Sequence, residues 1–263
     1  MEIFITNDDG YKAKGIRVLA EIMSAYGNVT VIAPKSHQSG MSMAVNLGGT
    51  VMEYRKIGNE EAQTSAGSWS WLDASPTSCA KFALNLLHAD KHFDVVLSGI
   101  NHGSNASTAS LYSGTLGAAE EGALHGIPSI GISLDSLDPD ADFSSAEQYL
   151  PMVFEKIMNE LPQRKGLYYN INFPALPADK VKGVRIAQMG NGKWIREFRH
   201  LSGDIDESSW VMVGEYVDSP DNPPDADHIL LEQGYITIVA HHLDNTDAEE
   251  SERLRGKGFD IDF

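Results

Sequence analysis

The stretch Glu2–Gly10, EIFITNDDG, decides the fold. Five residues of β character, EIFIT, stop abruptly at Asn7-Asp8-Asp9-Gly10. Ile16, Leu19, Ala20 and Met23 follow at i, i+3, i+4, i+7, the stripe of an amphipathic helix. A second apolar run, Val29–Ala33, closes at Pro34. Strand, helix and strand within about 35 residues make a βαβ unit, which implies parallel strands and a right-handed crossover.

Outward from that unit the pattern continues. Residues 35–43 read as a polar loop, and Val45–Tyr54 and Ser65–Leu72 as weaker strands around a hydrophilic turn at Gly58-Asn59-Glu60-Glu61. Ser75-Pro76-Thr77 opens a helix with Cys79, Phe82, Ala83 and Leu86 on its apolar face, so Cys79 is expected to be a small core residue. Asp94–Leu97 is a buried strand, Ser98–Ser113 a long loop of small polar residues, and Gly114–Leu124 a small-residue helix suited to close packing. Ile127–Ser133 is the next strand, with Pro128 at its start. A helix over 144–161 carries Ala146, Leu150, Val153 and Ile157, and Pro151 is expected to kink it or delay its start. Leu167–Phe173 ends the α/β portion. Beyond Pro174 the segments Val184–Gln188, Trp194–Arg199, Trp210–Val217 and Ile236–Ala240 are β-rich, with no internal repeat. The expected architecture is α/β, a Rossmann-like three-layer sandwich with a mostly parallel sheet over 1–175. A β-rich elaboration over 176–263 is expected to join that core rather than fold separately, with a soft boundary near 174–180.

Composition limits the function classes. The 263 residues are 42% hydrophobic and 22% charged, which excludes a disordered chain, a collagen repeat and a coiled coil. No apolar run is long enough for a transmembrane helix, and MEIFITNDDG lacks a secretion signal. The single cysteine permits no internal disulfide. A cytoplasmic protein is expected. The net charge of −17 argues against DNA or an anionic membrane as partner. Residues 1–130 hold 12 acids and 8 bases, and 131–263 hold 25 and 12. A phosphorylated substrate therefore needs a local positive element, expected here to be helix amides and a metal ion rather than a basic patch.

Four blocks carry chemistry. Asn7-Asp8-Asp9-Gly10 ends a strand of the parallel sheet, where ligand sites lie. Two adjacent carboxylates repel, and a divalent cation offsets this; hard oxygen donors favour Mg²⁺, Mn²⁺ or Ca²⁺ over zinc. The competing reading is an Asx turn with a helix N-cap, Gly10 supplying positive φ. Haloacid-dehalogenase-type phosphatases need Asp where Asn7 stands, and neither a G-x-G-x-x-G fingerprint nor a Walker loop is present. Ser39-Gly40-Met41-Ser42 can complete a cation's shell or donate to phosphate, or can be an ordinary loop. In Ser98–Asn105, Asn101 offers a neutral oxygen to a metal and Asn105 can orient an oxyanion; His102 reads either as an acid or as an exposed loop residue. Tyr112-Ser113-Gly114-Thr115 opens a helix whose first amides can bind an anion, or are simply capped.

Together Asp8, Asp9, Ser39 and Asn101 are the expected ligands of one divalent metal per chain. Asn7, Gly40, Ser42, Asn105, Ser113, Gly114 and Thr115 are the expected phosphate contacts, and Asp8, Asp9, Asn105 and Ser113 the catalytic set. The arrangement suits metal-assisted phosphomonoester hydrolysis, with water attack and direct attack by Asp8 both open.

These blocks resemble the SurE (stationary-phase survival protein) family of metal-dependent nucleotidases. The family's TNDDG-x₄-GI appears as Thr6–Gly10 with Gly15-Ile16, and its APxxxxSG as Ala33-Pro34 with Ser39-Gly40. Its SGIN-x-G-x-N appears as Ser98–Asn101 with Gly103 and Asn105. Its YSGT-x-GAA-x-EG appears as Tyr112–Thr115 with Gly117–Ala119 and Glu121-Gly122. Gly234–Ile238 matches a later strand of the family. The resemblance implies Asp8, Asp9, Ser39 and Asn101 as metal ligands. It also implies 5′- or 3′-nucleoside monophosphates as substrates, with room for a side activity on short polyphosphate. A homodimer, often paired into a tetramer with exchanged carboxy-terminal segments, is implied as well. The chain departs from the family at Asp73–Cys79, at Val239-Ala240-His241 and in the short charged tail Ser251–Phe263. A non-hydrolytic nucleotide or phosphosugar binder, or a phosphatase for a non-nucleotide ester, are the alternatives.

Overall fold

The computed structural model describes residues 1–87, 92–204 and 206–261, so the end of the tail Ser251–Phe263 lies outside the described residues. Strand β1 (Glu2–Thr6) places Ile3 and Ile5 on one face and Phe4 on the other, all fully buried. A strand with both faces covered belongs in the middle of a layered α/β fold. Helix α1 (Lys14–Met23) buries Ile16, Leu19, Ala20 and Met23 as the spacing predicts, and β2 (Asn28–Pro34) completes the unit.

Among the described residues the main sheet has the order β3-β4-β2-β1-β5-β6-β7-β13-β8. Its middle run is parallel: β4 (Ser68–Leu72), β2, β1, β5 (Val95–His102), β6 (Ser129–Leu134) and β7 (Leu167–Phe173). At one edge β3 (Tyr54–Ile57) runs antiparallel to β4. At the other, β13 (Ile236–His242) pairs antiparallel with β7 and parallel with β8 (Val184–Ile186). The chain leaves β1 toward β2 on one side and returns to β5 on the other, which makes the β1/β5 boundary the topological switch point.

Helices cover both faces. The side of Ile3 and Ile5 packs against α1 and a later helix through Ala146, Leu150, Val153 and Phe154. The side of Phe4 packs against two others through Cys79, Ala80 and Ala118. Cys79 is fully buried among apolar neighbours, which drives its thiol well above the ordinary range. A short turn, α2 (Asn59–Ala62), precedes α3 (Pro76–Phe82), whose N-cap Ser75 accepts the amide of Ser78. Helix α4 (Gly114–Leu124) spans the predicted residues, and its small residues admit close contacts. A side chain at Gly122 would lie 2.8 Å from the Val96 Cβ, and one at Gly117 2.3 Å from the Ser42 carbonyl oxygen.

Several predicted elements differ. The strand expected over Val45–Tyr54 begins only at Tyr54, because Gly48 and Gly49 take positive φ and break the extended run. The loop expected over Ser98–Ser113 is β5 as far as His102 and then a 3₁₀ segment, Ser107–Tyr112. Helix α5 (Ser144–Asn159) runs through Pro151 without a delayed start, held by buried Leu150, Val153 and Phe154 around it. Each such side chain contributes roughly 1.5–3 kcal/mol of burial, enough to offset a proline's cost of about 3 kcal/mol. Trp194–Arg199 divides at Arg196, whose φ is +53°, into β9 (Gly192–Ile195) and β10 (Phe198–Gly203). Trp210–Val217 divides into β11 (Ser208–Met212) and β12 (Glu215–Asp218). These strands form two antiparallel ribbons, β10–β11 and β12–β9, outside the main sheet. The remaining helices are α6 (Asp227–Glu232) and α7 (Ala248–Gly256). Among the described residues no helix is long and apolar enough to cross a membrane.

Candidate active site

The carboxyl ends of β1 and β5 meet at the switch point, and the first and third sequence blocks meet there with them. Asn7 donates its side-chain amide to the Gly10 carbonyl at 3.0 Å, and Gly10 takes a φ of +94°. Because the Asn7 amide donates and its Oδ1 accepts nothing, the expected Asx turn does not form, and neither aspartate caps α1. Its N-cap is Ala13, with no side-chain bond. The carboxylates are left for another use.

Asp8 is buried. Its Oδ1 accepts the Thr115 hydroxyl at 2.7 Å, and its backbone carbonyl accepts the Gln38 amide at 2.7 Å. Burial pushes the Asp8 carboxyl up to about 6; the Thr115 donor pulls against this and the charge of Asp9 adds to it. Asp9 has different partners. Its Oδ2 accepts the His102 amide at 2.9 Å and lies 3.2 Å from His102 Nδ1, and its Oδ1 lies 3.5 Å from His37 Nδ1. His102 is thus not a freely exposed loop residue. Its side chain is 12% exposed and its ring packs edge-on to Phe143.

Asn101 sits where β5 slips its register with β6, between Ser98 and Asn101, an irregularity of the kind that re-aims side chains at sheet rims. Gly99 makes the close approach possible: its φ is +138°, and a Cβ there would meet the Ile132 carbonyl oxygen at 2.2 Å. The Asn101 amide nitrogen donates to the Gly103 carbonyl, while its buried Oδ1 has no hydrogen-bond partner. Thr6 Oγ1, Asn7 Oδ1, Ser98 Oγ and His102 Nε2 are also buried and unpaired. Such a concentration of unmatched polar atoms at two adjacent strand ends calls for a ligand or ion. Ser39, exposed on the loop after β2, lines one cavity of about 460 Å³ together with Asp9, His37 and His102.

The donor set is two carboxylates, an amide oxygen and a hydroxyl. These oxygens fit a hard divalent ion and not a soft one. Among the described residues no group of three or more His, Cys, Asp or Glu side chains could hold a metal, so an ion here would have to draw on neutral oxygens such as those of Asn101 and Ser39.

The anion-binding candidates divide into two groups. Ser113 caps α4, accepting the Leu116 amide at 3.0 Å, which leaves the amides of Gly114 and Thr115 at the helix start. Gly114 lies against Asp8: a Cβ there would come within 3.0 Å of the Asp8 Cβ and 3.2 Å of Oδ2. The Thr115 hydroxyl is engaged with Asp8, and Thr115 is wholly buried. Asn105 is buried as well: its side-chain amide donates to Ser133 Oγ, its backbone amide to Asn172 Oδ1, and its carbonyl accepts from Asn170. Ser42, at φ +47°, donates its hydroxyl to the Leu111 carbonyl, and Gly40 takes φ +77° with open space around it. The divergent segment at Asp73–Cys79 folds into a cap: Ser75 Oγ donates to the Ala44 carbonyl, and Ser78 Oγ donates to Asn46 Oδ1. The divergent Val239-Ala240-His241 continues β13, and His241 stacks on Tyr168.

Sequence reading missed three features. Asn170 and Asn172 read only as part of a strand, yet they hold Asn105 in place from β7. Ser133, likewise read as strand, completes that network. Lys12, Lys14 and Arg17 line the same cavity as Asp9, with Lys14 donating to the Asp140 and Ala141 carbonyls and Arg17 to the Lys12 carbonyl and Gln63 Oε1. Their placement at the start of α1 is the signal that could have revealed them.

The family model described as "Survival protein SurE" matches residues 3–196. A relative from Christiangramia forsetii named 5′-nucleotidase SurE is 35% identical over 93% of this chain and 92% of its own length. One of the same name from Bacteroides thetaiotaomicron is 34% identical over 99% of this chain and 97% of its own. Among solved structures, a SurE protein from Aquifex aeolicus matches with a TM-score of 0.82 at 25% identity, covering 98% of this chain and all of that one.

Proposed function

The chain belongs to the survival protein SurE family, and from that premise we infer that it is a 5′-nucleotidase, releasing phosphate from nucleoside monophosphates with the help of one divalent metal ion. The observation that carries the metal is the unpaired, buried Asn101 Oδ1 beside two carboxylates at one switch point. Asp8, Asp9, Ser39 and Asn101 would hold Mg²⁺ or Mn²⁺. Such an ion supplies Lewis-acid stabilisation of phosphoryl charge and makes a water molecule more acidic.

This chain's own residues do the rest. Thr115 and the Gln38 amide fix Asp8, and His102 fixes Asp9, so the carboxylates are oriented before substrate arrives. The amides of Gly114 and Thr115 at the start of α4 favour the phosphate dianion. Lys12, Lys14 and Arg17 reduce the repulsion that so acidic a chain would otherwise exert. Asn105, fixed by Asn170 and Asn172, is offered as the group that orients a phosphoryl oxygen. The same reading carries activity on 3′-nucleotides and a homodimer or tetramer, for which Phe198, Trp210 and Met212 on the β10–β11 ribbon offer exposed apolar surface.

Phosphate release from AMP, GMP, a 3′-nucleotide and p-nitrophenyl phosphate, with and without EDTA, tests the reading. Release from the nucleotides that EDTA abolishes is expected. Metal-dependent nucleotide binding with no phosphate release would instead support a non-hydrolytic binder.

A further inference from the structure

We propose that a second cavity, walled by Trp194, Tyr216 and His228 and rimmed by Asp135 and Glu232, is a nucleobase subsite that selects a base with a donor edge, guanine above all. The assignment deepens, and rests on, the nucleotidase reading of the adjoining site.

The cavity measures about 350 Å³, the scale of a small-ligand pocket. It shares Leu137 with the cavity that holds Asp9, and the two adjoin across His102-Gly103. A ligand with its phosphate near Asp8 and Asp9 therefore has a second compartment for its other end.

The walls are aromatic. In the β12–β9 ribbon Trp194 pairs directly with Tyr216, so both side chains stand on one face, with ring centroids 5.7 Å apart. Tyr216 meets His228 edge-on at 5.9 Å. Stacking on such rings is open to every base and gives affinity without selectivity.

A buried carboxylate holds the pocket in shape. Asp227, wholly buried at the start of α6, accepts the backbone amides of Ser107, Gly190 and His228, one from each of three separate segments. Ser107 Oγ is hydrogen-bonded to the Tyr216 hydroxyl. Position 190 must be glycine, because a Cβ there would meet His228 Nδ1 at 2.3 Å.

The rim sets the chemistry. Asp135 and Glu232 lie close enough that burial first, and then the charge of Glu232, raises the Asp135 carboxyl. Carboxylate oxygens accept hydrogen bonds and repel anions, so this rim disfavours a phosphate and favours N–H donors. Guanine presents N1–H and the 2-amino group side by side, matching the two oxygens of a carboxylate. Hypoxanthine lacks the amino group, and uracil flanks its one N–H with carbonyl oxygens.

The test compares kcat/KM for GMP, IMP and ribose 5-phosphate in the wild type, Asp135→Asn/Glu232→Gln and Trp194→Ala. The wild type is expected to prefer GMP. The GMP-to-IMP ratio should fall about tenfold in the double variant, and the GMP-to-ribose 5-phosphate ratio about tenfold in Trp194→Ala. If GMP is hydrolysed and either ratio is unchanged by its variant, the subsite is overturned while the nucleotidase reading survives. If no nucleotide is hydrolysed, that reading falls, and calorimetric binding of guanosine decides the subsite. Binding weakened about tenfold by both variants upholds it, and absent or unaltered binding overturns it.

Discussion

The Thr115 hydroxyl donates to Asp8 Oδ1 at 2.7 Å, joining the first turn of α4 to the end of β1 inside the protein. One bond thus fixes both a carboxylate of the proposed metal site and the helix start proposed to face the phosphate. Thr115→Val keeps the shape and removes the donor. Partners of this kind change metal affinity by roughly 10–100-fold when lost. The Mn²⁺ concentration for half-maximal phosphate release is expected to rise by that order, and an unchanged value would separate Thr115 from the site.

Asp8 gives a pH signature in the metal-free protein. Its carboxyl is raised from 3.8 to about 6, chiefly by burial, so between those values the folded chain holds a proton that the unfolded chain has released. Stability from this group is complete below the lower value and is lost as pH rises through about 6. The loss is on the order of 3 kcal/mol. Asp8→Asn carries no such term. In EDTA, urea unfolding should show the variant gaining about 2 kcal/mol on the wild type between pH 4.5 and 7.5. A constant difference across that range would contradict the burial of a charged Asp8.

Asn172 is expected to matter for stability as well as for positioning. Asn172→Ala deprives the buried amide of Asn105 of its acceptor and Asn170 Oδ1 of its donor. Leaving such groups unsatisfied costs about 1–3 kcal/mol. Urea midpoints should fall accordingly, with the denaturant slope unchanged.

Gly15 tests the packing of α1 on β5. A Cβ at this position would lie 1.9 Å from the Ile100 carbonyl oxygen, a backbone atom that cannot swing aside. Gly15→Ala is expected to destabilise by about 3 kcal/mol, in spite of alanine's better helix propensity. A neutral or stabilising change, read by thermal melting, would contradict the close helix–strand contact.

Local pattern made much of this legible. EIFIT and VTVIA fold nearly at the bounds that their apolar runs assign, and GTLGAAEEGAL at those its small residues suggest, because in each the composition and the burial agree. The ambiguous stretches are those where partners distant in sequence decide. SGINH reads as loop by polarity, yet Asn101 and His102 pair with Ser133 and Leu134 of β6 and extend the strand. The inward amides of Asn170 and Asn172 look like interruptions in LYYNINF until Asn105 is brought across from the β5 side. Counting charge along the chain likewise misses Lys12, Lys14 and Arg17, since a net of −17 says nothing about which few cations share a cavity. In the β-rich half, one positive φ at Arg196 divides a single apparent strand into parts of two ribbons.

The most direct measurement is a Mn²⁺ titration followed by electron paramagnetic resonance, comparing the wild type with Asp9→Asn. Asp9 is held by His102 at the rim of the cavity, so the substitution leaves the core intact. One bound Mn²⁺ per wild-type chain is expected, with affinity falling at least about tenfold in the variant. Equal affinity in both, or no Mn²⁺ bound by the wild type, would contradict a divalent ion held at the junction of β1 and β5.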